Sequence, residues 1–134
     1  MTTGEKDLDL AGIKVLVVDD SKTIRRTAEN LLVRAGCEVT TAADGFEALA
    51  KIVDSRPHVI FVDIMMPRLN GYQTCSLIKN NQSLRNTPVI MLSSKDGLFD
   101  RAKGRMVGAE QYLTKPFTRA ELVGAIRRHV HRDE

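Results

Sequence analysis

The stretch Val59-Ile60-Phe61-Val62-Asp63-Ile64-Met65-Met66-Pro67 decides how the chain is read. Its leading residues are β-branched or aromatic and unbroken by polar ones, the pattern of a strand buried on both faces. The strand ends on a carboxylate, Asp63, and Pro67 then prevents an immediate return to regular structure. In an open parallel sheet, ligands and reactive groups gather at the carboxyl ends of the strands. A lone acid there can also do no more than start a turn, so the rest of the chain must choose between the two.

Outward from that stretch, five short apolar runs alternate with five amphipathic ones. The strands read as Ile13–Val18, Glu38–Ala42, Val59–Asp63, Val89–Leu92 and Gln111–Leu113. The second, which alternates in hydrophobicity, belongs nearer an edge. Ile24, Ala28, Leu31, Leu32 and Ala35 fall at helical spacing before Gly36, where a helix commonly ends. Asp44 opens a second helix with Phe46, Leu49 and Val53 on one side. A third runs from Gly71 to Asn80 with Tyr72, Cys75 and Ile78 inward, and a weaker fourth from Leu98 to Val107. Thr118 and Glu121 form a capping box for the last helix, which faces Leu122, Ala125, Ile126 and His129 inward. Strict alternation implies an α/β fold, a five-stranded parallel sheet doubly wound with helices on both faces, because parallel strands need right-handed crossovers. Residues 1–12 read as a flexible tail, 13–130 as one domain and 131–134 as a second tail.

Composition excludes several classes. With 134 residues, 43% hydrophobic and 28% charged, the chain fits a single domain with its own core. The apolar runs are strand-sized, so none spans a membrane, and the polar N-terminus lacks the apolar core of a secretory signal. A cytoplasmic monomer is expected, with Cys37 and Cys75 as reduced thiols, since they match no metal or CxxC spacing. A net charge of +3 is too small to argue for nucleic acid. The basic cluster Arg127, Arg128, His129, His131 and Arg132 ends a helix, where the backbone dipole favours cations.

The strand ends bring chemistry together. All carboxyl ends of a parallel sheet lie on one edge, so Asp19 and Asp20, Asp63, Ser93 and Lys115 converge. Two carboxylates ~5 Å apart repel by about 3 kcal/mol at an effective dielectric of ~20, so this group calls for cations. Lys115 supplies one, and Mg²⁺ is the obvious other, since it takes one or two carboxylates together with phosphate oxygens and water. Such a site can receive a phosphoryl group, with Asp63 as the nucleophile and Lys115, Ser93 and Mg²⁺ meeting the transferring charge.

Val15–Ser21 (VLVVDDS), Val59–Pro67, Val89–Ser94 (VIMLSS) and Tyr112–Phe117 (YLTKPF) resemble, in order and spacing, the signatures of the response-regulator receiver domain. The resemblance covers Ile13 to Val130 and implies the CheY-like, flavodoxin-like strand order 2-1-3-4-5. It further implies that Asp63 accepts phosphate from a histidine kinase, and that Mg²⁺ is held by Asp19, Asp20, Asp63 and the Met65 carbonyl. Lys115 would pair with the phosphoryl group ahead of a cis bond to Pro116. Ser93 would hydrogen-bond the phosphoryl oxygen, and Tyr112 would turn inward into the space it vacates. The face of the fourth helix, fifth strand and fifth helix would then change for an output protein.

The chain departs from the family in Ser94, where alanine is commoner. Met65 and Lys95 occupy the two positions that tune phosphoryl loss, and an apolar Met65 implies slow loss. With only a few polar residues after the last helix, a stand-alone receiver is expected: a phospho-accepting switch rather than an enzyme, acting through protein contact. Ser93–Arg105 is similar to receivers of chemotaxis-like systems that control type IV pilus twitching motility. A flagellar chemotaxis receiver, a phosphorelay intermediate and a degenerate scaffold are the alternatives. A flavodoxin would have its phosphate loop where Asp19 and Asp20 stand, and an aspartyl phosphatase would carry its nucleophile after strand one rather than strand three.

Overall fold

The computed structural model describes residues 10–94 and 101–130. Strand β1 spans Lys14–Val18, β2 Glu38–Ala42, β3 Val59–Asp63, β4 Val89–Ser94 and β5 Gln111–Lys115. All pairs are parallel and the order is β2-β1-β3-β4-β5, so the all-apolar run fills the middle of the sheet and the alternating β2 sits at its edge. Every residue of β3 is buried, as its composition requires. Each Val, Ile or Phe side chain so removed from water contributes about 1.5–3 kcal/mol.

Five helices cross between the strands: α1 Lys22–Arg34, α2 Gly45–Ser55, α3 Gly71–Lys79, α4 Arg101–Met106 and α5 Arg119–His129. Successive strand residues point to opposite faces, which divides the core in two. Val15, Val17, Phe61, Ile90 and Leu92 pack with Leu32 of α1 and Leu122 and Ile126 of α5. Leu16, Val18, Ile60, Val62 and Met91 pack with Ile52 of α2 and Tyr72, Cys75 and Ile78 of α3. Ser21, Asp44, Asn70 and Thr118 each cap a helix by accepting a backbone N–H, the last two in full capping boxes with Gln73 and Glu121. Among the described residues no helix is long and apolar enough to cross a membrane.

Several expectations shift. β4 and β5 each run two residues further than read, because Ser93 pairs with Thr114 and Ser94 with Lys115 although such residues usually signal turns. The inward face of α2 is Gly45, Ala48 and Ile52, whereas Phe46 and Val53 are 54% and 70% exposed. That helix has apolar residues on two faces, and periodicity alone chose the wrong one. His129 is half-buried and hydrogen-bonds Gln111 Oε1 at 2.7 Å. Leu10, placed in the tail, is 2% exposed and packs in the core beside α1, so the ordered chain starts before residue 13. Leu98 to Asp100, the expected start of the fourth helix, Lys95, His131 and Arg132 lie outside the described residues.

The loop after β3 is tightly folded. The Gly71 N–H donates to the Ile64 carbonyl at 2.8 Å. A Cβ on Gly71 would lie 2.5 Å from the Asp63 carbonyl oxygen and 2.7 Å from Ile64 Cα. Both obstacles are backbone, so neither can rotate away. Gly71→Ala is expected to cost about 1–3 kcal/mol or more in urea unfolding, as overpacked sites do; a loss within error would mean that the loop yields freely.

Candidate functional site

Asp19 follows β1, Asp63 ends β3, Ser93 lies in β4 and Lys115 ends β5, so the sheet itself brings them to one edge. Lys115 Nζ reaches both buried acids, 3.0 Å from Asp19 Oδ2 and 3.1 Å from Asp63 Oδ1. Carboxylate oxygens of Asp19, Asp20 and Asp63 lie within 4.8 Å of one another. Asp19 is fully buried and Asp63 nearly so, whereas Asp20 is exposed at the mouth. Local bonds fix the turn: the Ser21 N–H donates to Asp19 Oδ1 at 2.9 Å, and Arg25 Nη1 to the Asp19 carbonyl at 2.6 Å. Arg25 had no role in the sequence reading, since a basic residue in the first turn of a helix gives no pattern signal.

The electrostatics follow from this geometry. Burial pushes the Asp63 carboxyl up to about 6, the Asp19 charge pushes the same way, and Lys115 only partly opposes them. Burial also acts to lower the Lys115 pKa, but its bonds to Asp19 and Asp63 outweigh this and hold it above the ordinary lysine value. Three carboxylates thus face one ammonium. The remaining negative charge and the hard oxygen donors suit a divalent cation such as Mg²⁺.

The other expected residues fall around this cluster. In the β3–β4 ladder Asp63 pairs with Leu92, which puts Ser93 one residue beyond it, and the Ser93 hydroxyl donates to the Ser94 carbonyl at 3.3 Å. Met65 lies in the loop beyond Asp63, its side chain 69% exposed. The Lys115–Pro116 peptide is cis. Tyr112 is half-buried on β5 and away from the cluster; its hydroxyl accepts a hydrogen bond from Arg101 of α4, whose guanidinium also lies 5.0 Å above its ring. Above the loop, Arg68 pairs with Asp44 Oδ2 at 3.1 Å and stacks on Phe46.

Residues 15–127 match the response regulator receiver domain model. Over 119 residues, 89% of this chain and 88% of the other, the chain is 72% identical to protein PilG of Pseudomonas aeruginosa. It also spans about half the length of several longer relatives at 37–42% identity. Among solved structures, chemotaxis protein CheY4 of Vibrio cholerae superposes with a TM-score of 0.83 at 38% identity, covering 90% of this chain and all of that one. The receiver domain of sensor histidine kinase PA1611 from P. aeruginosa superposes at 0.80 and 33% identity, covering 89% of this chain and 98% of that one; it has magnesium coordinated in its active-site cleft.

Because the folded-state pKa of Asp63 lies above its ordinary 3.8, the ionised group opposes folding fully above about pH 6, and the penalty fades as pH falls toward 3.8. In metal-free buffer, Asp63→Asn is therefore expected to raise unfolding free energy at neutral pH by about 1–3 kcal/mol, less what the lost Lys115 contact contributed. Paired urea titrations across the acid range check this; a gain that does not shrink on acidification contradicts it.

Proposed function

The chain belongs to the response regulator receiver domain family, and on that premise we propose that it is a signalling switch phosphorylated on Asp63 by a histidine kinase. One observation carries this reading: the buried Asp63 carboxylate, on the central strand, shares the Lys115 ammonium with Asp19. An Asp63 oxygen attacks the phosphorus of the donor's phosphohistidine; the P–N bond breaks as the acyl phosphate forms, and the imidazole leaves. Asp63 must be ionised to attack, and Lys115 within contact favours that form. As phosphate arrives, the ammonium exchanges a carboxylate for a phosphoryl oxygen, keeping a partner throughout.

Asp19, Asp20 and Asp63, with the Met65 carbonyl, would hold Mg²⁺. When bound, such an ion would supply positive charge that favours the incoming phosphoryl oxygens. The Ser93 hydroxyl then turns from its backbone partner to the phosphoryl group. Tyr112 moves into the vacated space, and the surface of α4, β5 and α5 changes for an output protein. Nothing in this sequence of events turns over a separate substrate, so the protein is a switch and not an enzyme. The 72% identity to PilG along nearly both whole chains, together with the Ser93–Arg105 stretch, supports a role in a chemotaxis-like system controlling type IV pilus twitching motility. Histidine kinases phosphorylate their partners in the cytoplasm, where the switch would act as a monomer.

Incubation with acetyl phosphate and Mg²⁺ is expected to add one phosphate to the native chain and none to Asp63→Asn, read by intact mass. Addition to both proteins or to neither overturns the assignment. An exposed thioether at position 65 cannot orient a water for attack on the acyl phosphate. Met65→Asn should therefore shorten its lifetime several-fold, and an unchanged lifetime would remove that role from position 65.

A further inference from the structure

The loop between β3 and α3 holds a backbone conformation that its sequence resists. Arg68 has φ 68°, in the left-handed region, where a long L side chain is strained and glycine or asparagine is the usual occupant. The other such non-glycine residue among those described, Arg56, merely caps the end of α2. Strain of this kind persists only where surrounding contacts enforce it, and it gathers at working sites. Two contacts enforce it here. Arg68 Nη2 donates to Asp44 Oδ2 at 3.1 Å, and the guanidinium lies 5.6 Å above the Phe46 ring. Both partners belong to the start of α2, where Asp44 is the cap and its Oδ1 accepts the Glu47 N–H at 2.7 Å. Phe46 is exposed and belongs to neither core layer, so its ring is available to the arginine.

The same loop begins at Asp63 and contains Met65. Its ends are tied by backbone, the Ile64 N–H to the Leu92 carbonyl at 3.1 Å and the Gly71 N–H to the Ile64 carbonyl at 2.8 Å. Met66 packs into the core beneath, while the Met65 side chain is exposed and the Leu69 N–H bonds only within the loop, to the Pro67 carbonyl. Sideways support comes from α2. Leu69 lies so close to Gly45 that a Cβ there would stand 2.7 Å from Leu69 Cδ2, and Arg68 adds its pair and its stack beside it. An exposed ion pair contributes little to global stability. The effect of this one therefore falls on the shape of the loop rather than on the fold.

We propose that Arg68 is a positioning residue for the divalent-cation site, its clasp on Asp44 and Phe46 holding the loop that carries the Met65 carbonyl in the conformation competent to bind Mg²⁺. The assignment rests on the reading above for the identity of the ion and for the part of Met65. With the clasp open, Arg68 relaxes to an ordinary φ and residues 65–69 sample other shapes, so the ion meets a site that it must first order. Support of a metal ligand by groups that never touch the metal is a general feature of such sites. Here the supporting groups come from α2, an element that contributes none of the expected ligands.

The test is titration of the full chain with Mg²⁺ alone, followed by amide chemical shifts, for Arg68→Gly, Asp44→Asn and the double variant. Arg68→Gly removes the clasp together with the backbone strain, so its thermal midpoint is expected to hold or rise. Asp44→Asn keeps an oxygen for the Glu47 N–H and so keeps the helix cap. Each variant should bind Mg²⁺ about tenfold more weakly, and the double variant no more weakly than either. Direct Coulomb effects predict otherwise, since losing the Arg68 cation would tighten Mg²⁺ binding while losing the Asp44 anion would weaken it. Unchanged or tighter binding by Arg68→Gly, losses that multiply in the double variant, or no Mg²⁺ binding by the native chain each overturns the proposal. A lowered midpoint with unchanged affinity does so too, since it assigns the clasp to stability alone. Phosphorylation by acetyl phosphate is read by mass on the same samples. The expected Mg²⁺ pattern in a native chain that gains no phosphate upholds the clasp and counts against the switch.

Discussion

Two buried carboxylates sharing one ammonium are the constraint to which the rest of this molecule answers. Asp19 and Asp63 lie out of water at the ends of adjacent strands, and each would be costly to bury alone. Lys115 offsets that cost only because β5 delivers it to the same edge from more than fifty residues away in sequence. The fold is the device that closes this triangle. Its core, all apolar on β3 and divided between two helical layers, holds the strand ends so that the charges cannot separate to relieve their repulsion.

The compensation is deliberately incomplete in its physical effect, whatever its origin. Burial first, and then the neighbouring Asp19 charge that one ammonium only partly offsets, push the Asp63 carboxyl up to about 6, an acid poised to accept either a proton or a positively supported ligand. Stability and reactivity therefore oppose each other at this edge. A chain optimised for folding alone would replace Asp63 with a neutral isostere; the cost of keeping the charge is the signature of a working site.

Much of this was legible in the sequence because the relevant physics is periodic or local. A run of β-branched residues has to be buried, strict alternation of elements forces parallel strands, and parallel strands fix which ends meet. Asp19, Asp20, Asp63, Ser93 and Lys115 could thus be placed at one edge before any coordinates. What failed was whatever depends on which of two faces turns inward. Phe46 and Val53 obey helical spacing as well as Ala48 and Ile52 do, and only the close approach of Gly45 to Leu69 and Thr74 shows that the small-residue face packs, with Leu49 against the core beside it. Serine and threonine at the ends of β4 and β5 read as turns, because a ladder partner about twenty residues away leaves no local trace. The contacts of Arg25, Arg68 and Arg101 were equally hidden, since long cationic side chains choose their partners in three dimensions.

Arg101 links the two ends of the proposed mechanism, and the link is energetic rather than mechanical. Tyr112 sits on β5 three residues before Lys115, so the strand that carries the site's ammonium also carries the aromatic ring held by α4. Among the described residues α4 carries two cation–π contacts and one buried glycine, and each exposed contact contributes roughly 1 kcal/mol. Rearrangement at Ser93 and Tyr112 is thus within reach of the small free-energy differences that ligand binding supplies. A helix anchored by leucines would demand several times more and would respond to the site far less. The sparse apolar content of α4, which made it the weakest helix to read from sequence, is on this argument the property that lets it respond.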